Sequence, residues 1–286
     1  MDKLGLDIPS EVLEGLELVK QRIESLQIDE FVINDLYLPS THLLRTSGKM
    51  IRPMMVLLGA RVIGEKIERF VDLASAIELL HVSSLVHDDI VDKERMRRNM
   101  ESVNMKFGGS SALLAGDALI SKGIQLSSKY GSNVIYAIAS ATMDMCAGEV
   151  LDFKYKNKKS ALDINVYIKI AQLKTASLIG LSGSIAAIAK GASVKRELYE
   201  YGKNLGIAFQ IRDDVSEFLE TTDPIGKRRV RSEANIVNVL KKEVKEPIAL
   251  QKAKEMNSLY INRALKEVSN LELSKILTSY ANIIRI

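Results

Sequence analysis

The sequence has little cysteine, histidine or proline: one, three and five residues, respectively, among 286. The single cysteine, Cys146, excludes a disulfide framework and fits a reducing compartment. So few histidines and cysteines also leave little material for a zinc site. No proline lies between Pro53 and Pro224, and this stretch therefore lacks the residue that most often interrupts helices.

The chain also lacks the patterns of secreted and membrane proteins. Its start, MDKLGLDIPSEVLEGL, has no basic segment followed by an apolar one, so we expect no signal peptide. The most apolar run, 67–86, contains Glu68, Arg69, Asp72 and Glu78, and it is therefore predicted to be a core helix rather than a membrane span. We expect a cytoplasmic protein.

The composition is that of a globular protein, with 47% hydrophobic and 27% charged residues. A net charge of +4 makes nucleic acid a weak candidate partner and a small anionic substrate a reasonable one. Apolar residues recur with helical spacing, and no alternating strand pattern or hairpin dipeptide is found. The sequence therefore predicts an all-α fold. Without a repeat, a low-complexity tract or a linker, it is predicted to form one domain over residues 1–286.

The spacing of apolar residues predicts eleven helices. Ser10 is predicted to be the N-cap of the first helix, and Pro39 is predicted to be a break before the second. Residues 93–99 are predicted to be a charged connection. The predicted helices cover about 10–26, 40–45, 53–62, 67–92, 111–128, 133–153, 163–190, 193–220, 233–242, 247–269 and 271–284.

A cluster of aspartates ends the predicted central helix. Asp88, Asp89 and Asp92 follow an almost entirely apolar run, and Asp88 and Asp92 share a helix face because they are four residues apart. Carboxylates that close repel one another unless a cation neutralises them. Aspartates combined with substrate phosphates suit Mg²⁺. A solvated acidic helix end is the alternative reading of one such cluster.

A second cluster repeats the arrangement. Asp213 and Asp214 follow another apolar stretch, and Glu217 stands four residues after Asp213, as Asp92 does after Asp88. Two such helix ends facing each other across a cavity would hold several metal ions around a polyanionic substrate. Their joint occurrence favours metal binding over chance.

Other kinds of catalytic site find less support. Neither His81 nor His87 has a convincing nucleophile partner in the sequence, and no dinucleotide-binding or Walker loop is present. Six carboxylates are also more than a general acid–base pair needs. A phosphate-rich substrate held between Mg²⁺ and basic side chains fits best.

Several basic residues could complete such a site. Lys49 and Arg52 lie three residues apart at a predicted helix start, where basic charge opposes the helix dipole, and this favours a functional role. Arg97 and Arg98 lie in a segment of mixed charge, where solvated surface is an equal alternative. Lys174 interrupts an apolar helix and must either extend to solvent or find an anion.

Taken together, these residues resemble the trans-isoprenyl diphosphate synthase (polyprenyl synthase) family, the head-to-tail prenyl chain elongases. Within that family, the resemblance is greatest to the archaeal hexaprenyl diphosphate synthases. It implies an all-α bundle around a deep central cavity, usually a homodimer, with two or three Mg²⁺ ions at the acid clusters. The matching residues occur in the family's order: Gly48-Lys49, Arg52-Pro53, His81, Asp88-Asp89, Asp92, Arg97-Arg98, Lys174-Thr175, Phe209-Gln210, Asp213-Asp214 and Gly226-Lys227.

The resemblance implies a role for each matching residue. The implied metal ligands are Asp88, Asp92, Asp213, Asp214 and Glu217, and the implied catalytic residues are Asp88, Asp89, Asp92, Asp213, Asp214 and Lys174. The implied isopentenyl diphosphate ligands are Lys49, Arg52, His81 and Arg98. The implied allylic diphosphate ligands are Arg97, Lys174, Thr175, Gln210 and Lys227. The reaction would ionise the allylic C–O bond, join isopentenyl diphosphate to the carbocation and release diphosphate.

The sequence departs from the family at two places. Glu217 stands where an aspartate is usual, which would alter the geometry of metal binding. Residues 228–235 lack the usual second Gly-Lys, so closure over the substrate would differ.

The family also implies which residues set the product length. Bulky residues about one turn before the first aspartate stop the growing chain in this family, whereas Ser83 and Ser84 stand there in this sequence. The hydrocarbon would then pass Leu80 and Ile77, which favours hexaprenyl diphosphate (C30) within a range of C25 to C35. The product would make a transient membrane contact on release.

Two other functions stay open within the same family: a geranylgeranyl diphosphate synthase and a non-catalytic partner subunit. A terpene cyclase would share the fold and an acid motif. It would not need the isopentenyl diphosphate ligands.

Overall fold

The computed structural model describes residues 8–26, 34–46, 48–156, 162–220, 234–271 and 273–286. These residues are overwhelmingly helical, and the all-α prediction is confirmed. The helices are α1 (Ser10–Glu24), α2 (Asn34–His42), α3 (Ile51–Val62), α4 (Val71–Val91), α5 (Val103–Phe107), α6 (Gly109–Ser127), α7 (Ser132–Lys156), α8 (Ile164–Ala171), α9 (Ser177–Lys190), α10 (Lys195–Leu219), α11 (Ile236–Leu240), α12 (Glu246–Val268) and α13 (Ser274–Asn282). Three 3₁₀ turns cover Leu43–Arg45, Ile67–Phe70 and Ser128–Tyr130, and a π-helical turn covers Gln172–Ala176.

Two local predictions about helix starts and breaks were wrong. Ser10 is the first helical residue of α1, and Pro9 takes the N-cap position without a side-chain cap hydrogen bond. Pro39 lies inside α2 rather than before a helix. Pro39 is the sixth of the nine residues of α2, where its missing N–H removes one backbone hydrogen bond.

The segment predicted as a charged connection contains a short β-hairpin. Strand β1 (Met96–Arg97) pairs antiparallel with β2 (Met100–Glu101). The two turn residues, Arg98 and Asn99, have positive φ angles of 52° and 63°. Two successive positive φ angles are typical of the tight turn that matches strand twist. Arginine is an unusual residue for this turn, so its side chain needs a separate explanation.

The described residues divide into two compact units. The N-terminal unit consists of Pro9–Ile138 and Ile185–Ala192, and the C-terminal unit contains Ala139–Ser184 and Ser193–Ile286. The single domain expected over residues 1–286 stays a prediction.

The N-terminal unit is built around α4, which packs on α1, α3 and α6. Its apolar core includes Leu79, Val82 and Val86 of α4, all at most 1% exposed. Each such side chain contributes about 1.5–3 kcal/mol on burial. Helix α6 can approach α4 closely because Gly123 lies against it: a Cβ there would be 3.2 Å from the Ala76 carbonyl oxygen.

The C-terminal unit is built around α10, which packs along α12 and on the π-helical turn. Buried polar side chains link its helices. Asn257 of α12 donates hydrogen bonds to the carbonyls of Ala208 and Ile284, at 2.8 and 3.1 Å. The Tyr201 hydroxyl donates to the Leu277 carbonyl at 2.6 Å. These bonds tie α10, α12 and α13 together.

Two segments, Ile67–Val91 and Ser132–Lys156, are long and apolar enough to span a membrane. In the first, 67% of the most apolar window is buried within the protein, as expected of a core helix. In the second, which is α7, only 22% of that window is buried. Length and composition alone are weak evidence for a membrane span. The exposed apolar face of α7 is nevertheless unusual for a helix surrounded by water.

Candidate active site

The first acid cluster occupies the C-terminal end of α4. Asp92 caps the helix, and its N–H donates to the Asp88 carbonyl at 2.8 Å. The last turn contains no basic residue, although the negative end of the helix dipole favours cations there. Asp88 and Asp92 are partly exposed, whereas Asp89 is fully buried. The two accessible carboxylates of the cluster, Asp88 and Asp92, therefore lie on one face of the helix.

Arg97 of the hairpin holds the buried Asp89. Its Nε donates to Asp89 Oδ1 at 2.8 Å, and Nη2 donates to the same oxygen. Burial raises the pKa of Asp89, and the bond from Arg97 only partly offsets this rise. Asn104 Nδ2 donates to the Asp89 carbonyl at 3.2 Å. Asp89 therefore orients Arg97 and the segment after α4 instead of presenting both oxygens to solvent.

Arg98 points to a different set of partners. Its Nη1 donates to the carbonyls of Thr46 and Leu43, at 2.9 and 3.3 Å. Its Nη2 lies 3.8 Å from Oε1 of the buried Glu78. Gly48 backs this guanidinium so closely that a Cβ there would lie 2.6 Å from Nη2. The glycine of the Gly48-Lys49 motif thus leaves room for Arg98.

The charges of three arginines act on His81, which lies on α4. Burial lowers the pKa of His81 well below its ordinary value, and the positive charges of Arg52, Arg98 and Arg97 lower it further. A neutral imidazole among three guanidinium groups is an environment that attracts an anion. Lys49 is exposed just before α3, and Arg52 lies in the first turn of α3. The structure thus brings Arg52, His81 and Arg98 of the predicted isopentenyl diphosphate ligands into one cationic region of the N-terminal unit.

The residues predicted to control product length have different environments. Ser83 is 1% exposed, and its hydroxyl donates to the Gly116 carbonyl of α6 at 3.0 Å. Ser84 is partly exposed, and its hydroxyl donates to the His81 carbonyl at 2.8 Å. At about 100° per residue, Ser84 lies about 40° from Asp88 around the helix axis and Ser83 about 140°. Of the two serines, only Ser84 shares the Asp88 face.

The other two residues of that set are buried: Leu80 is 4% exposed and Ile77 is 0% exposed. Leu80 also packs near Gly123 of α6, where a Cβ on the glycine would meet the Leu80 side chain at 3.2 Å. Ile77 lies about 20° from Asp88 by the same helical geometry.

The second acid cluster, on α10, repeats the division between exposed and buried carboxylates. Asp213 is exposed and Glu217 is partly exposed, whereas Asp214 is 6% exposed. Gln210 Nε2 donates to Asp214 Oδ1 at 2.8 Å, and the Ile236 N–H donates to Oδ2 at 3.0 Å. Burial raises the pKa of Asp214 to about 7 against these hydrogen bonds. Both oxygens of Asp214 are therefore used within the protein.

Thr175 and Gln210 belong to the same network. The Thr175 hydroxyl donates to Gln210 Oε1 at 2.7 Å, while Gln210 donates to Asp214. Asn235 caps α11 and donates to the Asp214 carbonyl at 2.7 Å. A continuous chain of hydrogen bonds thus runs from the π-helical turn through α10 to the start of α11.

Lys174 lies in the π-helical turn between two carboxylates. Its Nζ is 2.8 Å from Asp152 Oδ2 and also contacts Glu149 Oε2. Gly148 permits this arrangement, since a Cβ there would be 2.4 Å from the Lys174 backbone nitrogen. Single π-helical turns are frequent at functional sites. This one carries both Lys174 and Thr175 of the predicted allylic diphosphate ligands.

Lys227, the remaining predicted allylic diphosphate ligand, lies outside the described residues, as does Gly226. The structure also reveals participants that the motifs did not identify: Glu78, Glu149, Asp152 and Asn235. Glu78 could have been identified from the sequence, because it is a carboxylate in an otherwise apolar helix. For Asn235, the only indication in the sequence is that asparagine is a common helix-capping residue.

The carboxylates suit Mg²⁺ only together with a ligand that supplies further oxygens. Within the described ranges, no three histidine, cysteine, aspartate or glutamate side chains are placed to hold a metal ion by themselves. Mg²⁺ commonly takes one or two carboxylates plus substrate phosphates. Paired, accessible carboxylates at Asp88 and Asp92, and at Asp213 and Glu217, fit that mode.

Comparison with known proteins identifies the relatives of this chain. The polyprenyl synthetase family profile matches residues 33–235. The geranylfarnesyl diphosphate synthase of Methanosarcina mazei is 39% identical over 227 residues, which cover 78% of this chain and 75% of that protein. The geranylgeranyl pyrophosphate synthase of Geoglobus acetivorans is 35% identical over 215 residues, covering 72% of this chain and 67% of that protein. The crystal structure of heptaprenyl diphosphate synthase from Staphylococcus aureus superposes with a TM-score of 0.83 at 26% identity, covering 96% of this chain and 97% of that one.

Proposed function

Since the chain belongs to the polyprenyl synthetase family and is a prenyltransferase that acts on isoprenyl diphosphates, we propose that it joins isopentenyl diphosphate head to tail to an allylic prenyl diphosphate. The observation that carries this proposal is the repeated acid cluster. In each unit, an accessible carboxylate pair four residues apart lies beside a buried aspartate whose hydrogen bonds fix the local geometry.

We assign metal binding to the accessible pairs, Asp88 with Asp92 and Asp213 with Glu217. Bound Mg²⁺ would neutralise charge on the departing diphosphate. Asp89 and Asp214 would act as positioning residues, since their carboxylates already accept hydrogen bonds from Arg97 and from Gln210 with Ile236, respectively. This division of roles narrows the sequence-based prediction, which gave Asp214 a metal-binding role.

The basic residues would bind and orient the two diphosphates. We assign isopentenyl diphosphate to the cationic region of Arg52, His81 and Arg98, with Lys49 at its exposed edge. A neutral His81 would donate a hydrogen bond, and the guanidinium groups would supply the charge. The allylic diphosphate would be held by Arg97, Lys174, Thr175, Gln210 and Lys227. Lys174 would exchange part of its contact with Glu149 and Asp152 for the phosphate oxygens.

The product length that we propose lies beyond C15, because Ser84 leaves the Asp88 face of α4 open one turn before the aspartates. Similarity to a geranylfarnesyl diphosphate synthase favours C25. Hexaprenyl diphosphate (C30) stays a prediction from the sequence, and geranylgeranyl diphosphate (C20) stays the shorter alternative.

We further propose that the chain works as a homodimer in the cytoplasm. Helix α7 exposes large apolar side chains one heptad apart, Met143 at 71% and Val150 at 66%. Exposed apolar surface of this kind marks an interface. A second copy of the chain would cover it, and sedimentation analysis would detect the dimer.

A product assay tests the proposed chemistry. The protein is incubated with labelled isopentenyl diphosphate, Mg²⁺ and geranyl, farnesyl or geranylgeranyl diphosphate, and the products are resolved by chain length. We expect elongation that stops when Mg²⁺ is chelated and returns when Mg²⁺ is restored. A folded protein that makes no product from any of these primers would refute the proposal.

A matched pair of variants tests product length. Ser84→Phe should shorten the product, since the ring would lie on the Asp88 face. Ser83→Phe should instead destabilise the protein, because Ser83 is packed against the α6 backbone. If Ser84→Phe left the product length unchanged, Ser84 would have no role in setting it.

A further inference from the structure

Glu78 is a buried carboxylate to which the proposed chemistry gives no role. It lies in the middle of α4 with its side chain 5% exposed. Burial raises the pKa of Glu78, while the charges of Arg52 and Arg98 oppose the rise. A carboxylate in such surroundings is costly unless cations or hydrogen bonds compensate it. Its compensating partners are two residues assigned to isopentenyl diphosphate.

Arg98 is held from several sides, and Glu78 provides the negative charge among these contacts. Two main-chain carbonyls accept hydrogen bonds from Nη1, and Gly48 closes the space behind Nη2. Nη2 itself faces Glu78 at 3.8 Å. The guanidinium therefore has a fixed position relative to α4.

The backbone at Arg98 supports the same conclusion. A positive φ costs a residue with a Cβ roughly 1 kcal/mol or more, and Arg98 adopts a φ of 52°. Asparagine and glycine are the residues that favour this turn position. The presence of arginine is explained by what its side chain reaches.

Glu78 and Asp89 form a matched pair of anchors on α4. They are eleven residues apart, so at about 100° per residue their directions differ by about 20°, and about 16 Å of helix separates them. Consecutive hairpin arginines use one anchor each: Arg97 contacts Asp89, and Arg98 contacts Glu78. Two carboxylates on the same face of α4, about 16 Å apart along the helix, thus hold the two neighbouring arginines at different positions.

We propose that Glu78 is a positioning residue that holds Arg98, together with Arg52, in the geometry that binds isopentenyl diphosphate. This inference rests on the proposed function. It deepens that function by explaining how the binding arginines are kept in place before the substrate arrives.

Replacing Glu78 by glutamine removes the charge with little change in shape. If the anchor matters, E78Q should raise the KM for isopentenyl diphosphate by about tenfold or more, because the guanidinium would lose the buried charge that lies 3.8 Å from it. The KM for the allylic substrate should stay near the wild-type value. If the carboxylate merely weakened anion binding through its charge, E78Q would instead lower the KM for isopentenyl diphosphate, and this result would overturn the proposal.

E78D keeps the charge and should recover part of the affinity for isopentenyl diphosphate. It also tests the proposal if E78Q fails to fold, since an E78D protein with wild-type KM values for both substrates would overturn it. The effect of E78Q should shrink when Arg98 is already replaced by methionine, because Glu78 would then have lost a group that it positions. An equal fold-change in both backgrounds would also overturn the proposal.

Asp72→Asn is the matched control, since Asp72 lies on the same helix and pairs with Arg22 and Lys129 away from these residues. It should lower the melting temperature without changing the KM for isopentenyl diphosphate. Assays of the wild-type enzyme distinguish a wrong role for Glu78 from a wrong proposed function. If it elongates substrates but E78Q has no effect, only the role of Glu78 fails, whereas a wild-type protein without Mg²⁺-dependent elongation refutes the proposed function itself.

Discussion

Replacing Gly148 by alanine should disturb the predicted allylic diphosphate ligands without removing any of them. Gly148 lies on α7 directly against the π-helical turn that carries Lys174. A Cβ at this position would be 2.4 Å from the Lys174 backbone nitrogen, 2.7 Å from its Cα and 2.9 Å from the Leu173 carbonyl carbon. These are backbone atoms, so no side-chain rotation can relieve the overlap.

The size of the effect follows from these distances. Ordinary Cβ contacts begin at 3.4 Å, so the turn must retreat from α7 by about 1 Å. Overpacking of this kind typically costs about 1–3 kcal/mol. At about 2–4 °C per kcal/mol for a protein of this size, the melting temperature should fall by about 4–8 °C for a cost near 2 kcal/mol. A displacement of about 1 Å at a reactive centre can reduce the rate about 100-fold.

Thermal unfolding and steady-state kinetics with both substrates measure the two consequences. We expect kcat/KM for the allylic substrate to fall far more than the loss of folded protein explains. Gly109→Ala is the control, because nothing lies within 4 Å of a Cβ there and its φ is not positive. That variant should keep wild-type activity. A Gly148→Ala protein with unchanged melting temperature and unchanged allylic kcat/KM would refute the packing argument.

Three further predictions use single carboxylates or chelation. Asp88→Asn should abolish turnover while leaving the helical circular dichroism spectrum unchanged, because the substitution removes a proposed metal ligand and not core volume; an active variant would contradict the metal assignment. Asp72→Asn should lower the free energy of unfolding by about 1 kcal/mol in urea titrations at neutral pH. Burial opposes ionisation of Asp72, but hydrogen bonds from Lys129 and Arg22 lower its pKa. The stability that the Asp72 ion pairs contribute is therefore fully present above the ordinary pKa near 3.8, and it should disappear as the pH falls through the lowered value. An Asp72→Asn penalty that persisted well below that pH would contradict the ion-pair explanation. Chelation of Mg²⁺ should stop turnover while the circular dichroism spectrum of the helices stays unchanged.

Helical periodicity was a sound guide to the long apolar helices and a poor one to local details. The end of α4 at Val91 and the position of its aspartates follow from a continuous apolar run. Pro39 and Ser10 were assigned from residue preferences alone, and each preference is worth only about 1 kcal/mol or a few times that. Tertiary packing outweighs contributions of this size, so helix boundaries differed from those predicted.

The hairpin at 96–101 was missed for a related reason. Two-residue strands are too short to show alternation, and Arg98 is not a residue that signals a tight turn. The turn is explained by long-range contacts between Arg98 and Glu78 and the carbonyls of Thr46 and Leu43. No local pattern records such contacts.

The sequence by itself determined the all-α class, the family and the two acid clusters, because these depend on periodicity and on residue types at fixed spacing. Only the tertiary structure decided which of the two adjacent aspartates in each acid cluster is accessible. Asp88 and Asp89 are adjacent and chemically identical, yet one faces outward and the other is buried against Arg97. Likewise, Ser83 packs on α6 while Ser84 shares the Asp88 face. Neighbouring residues point about 100° apart on a helix, so their roles depend on which other elements pack around that helix.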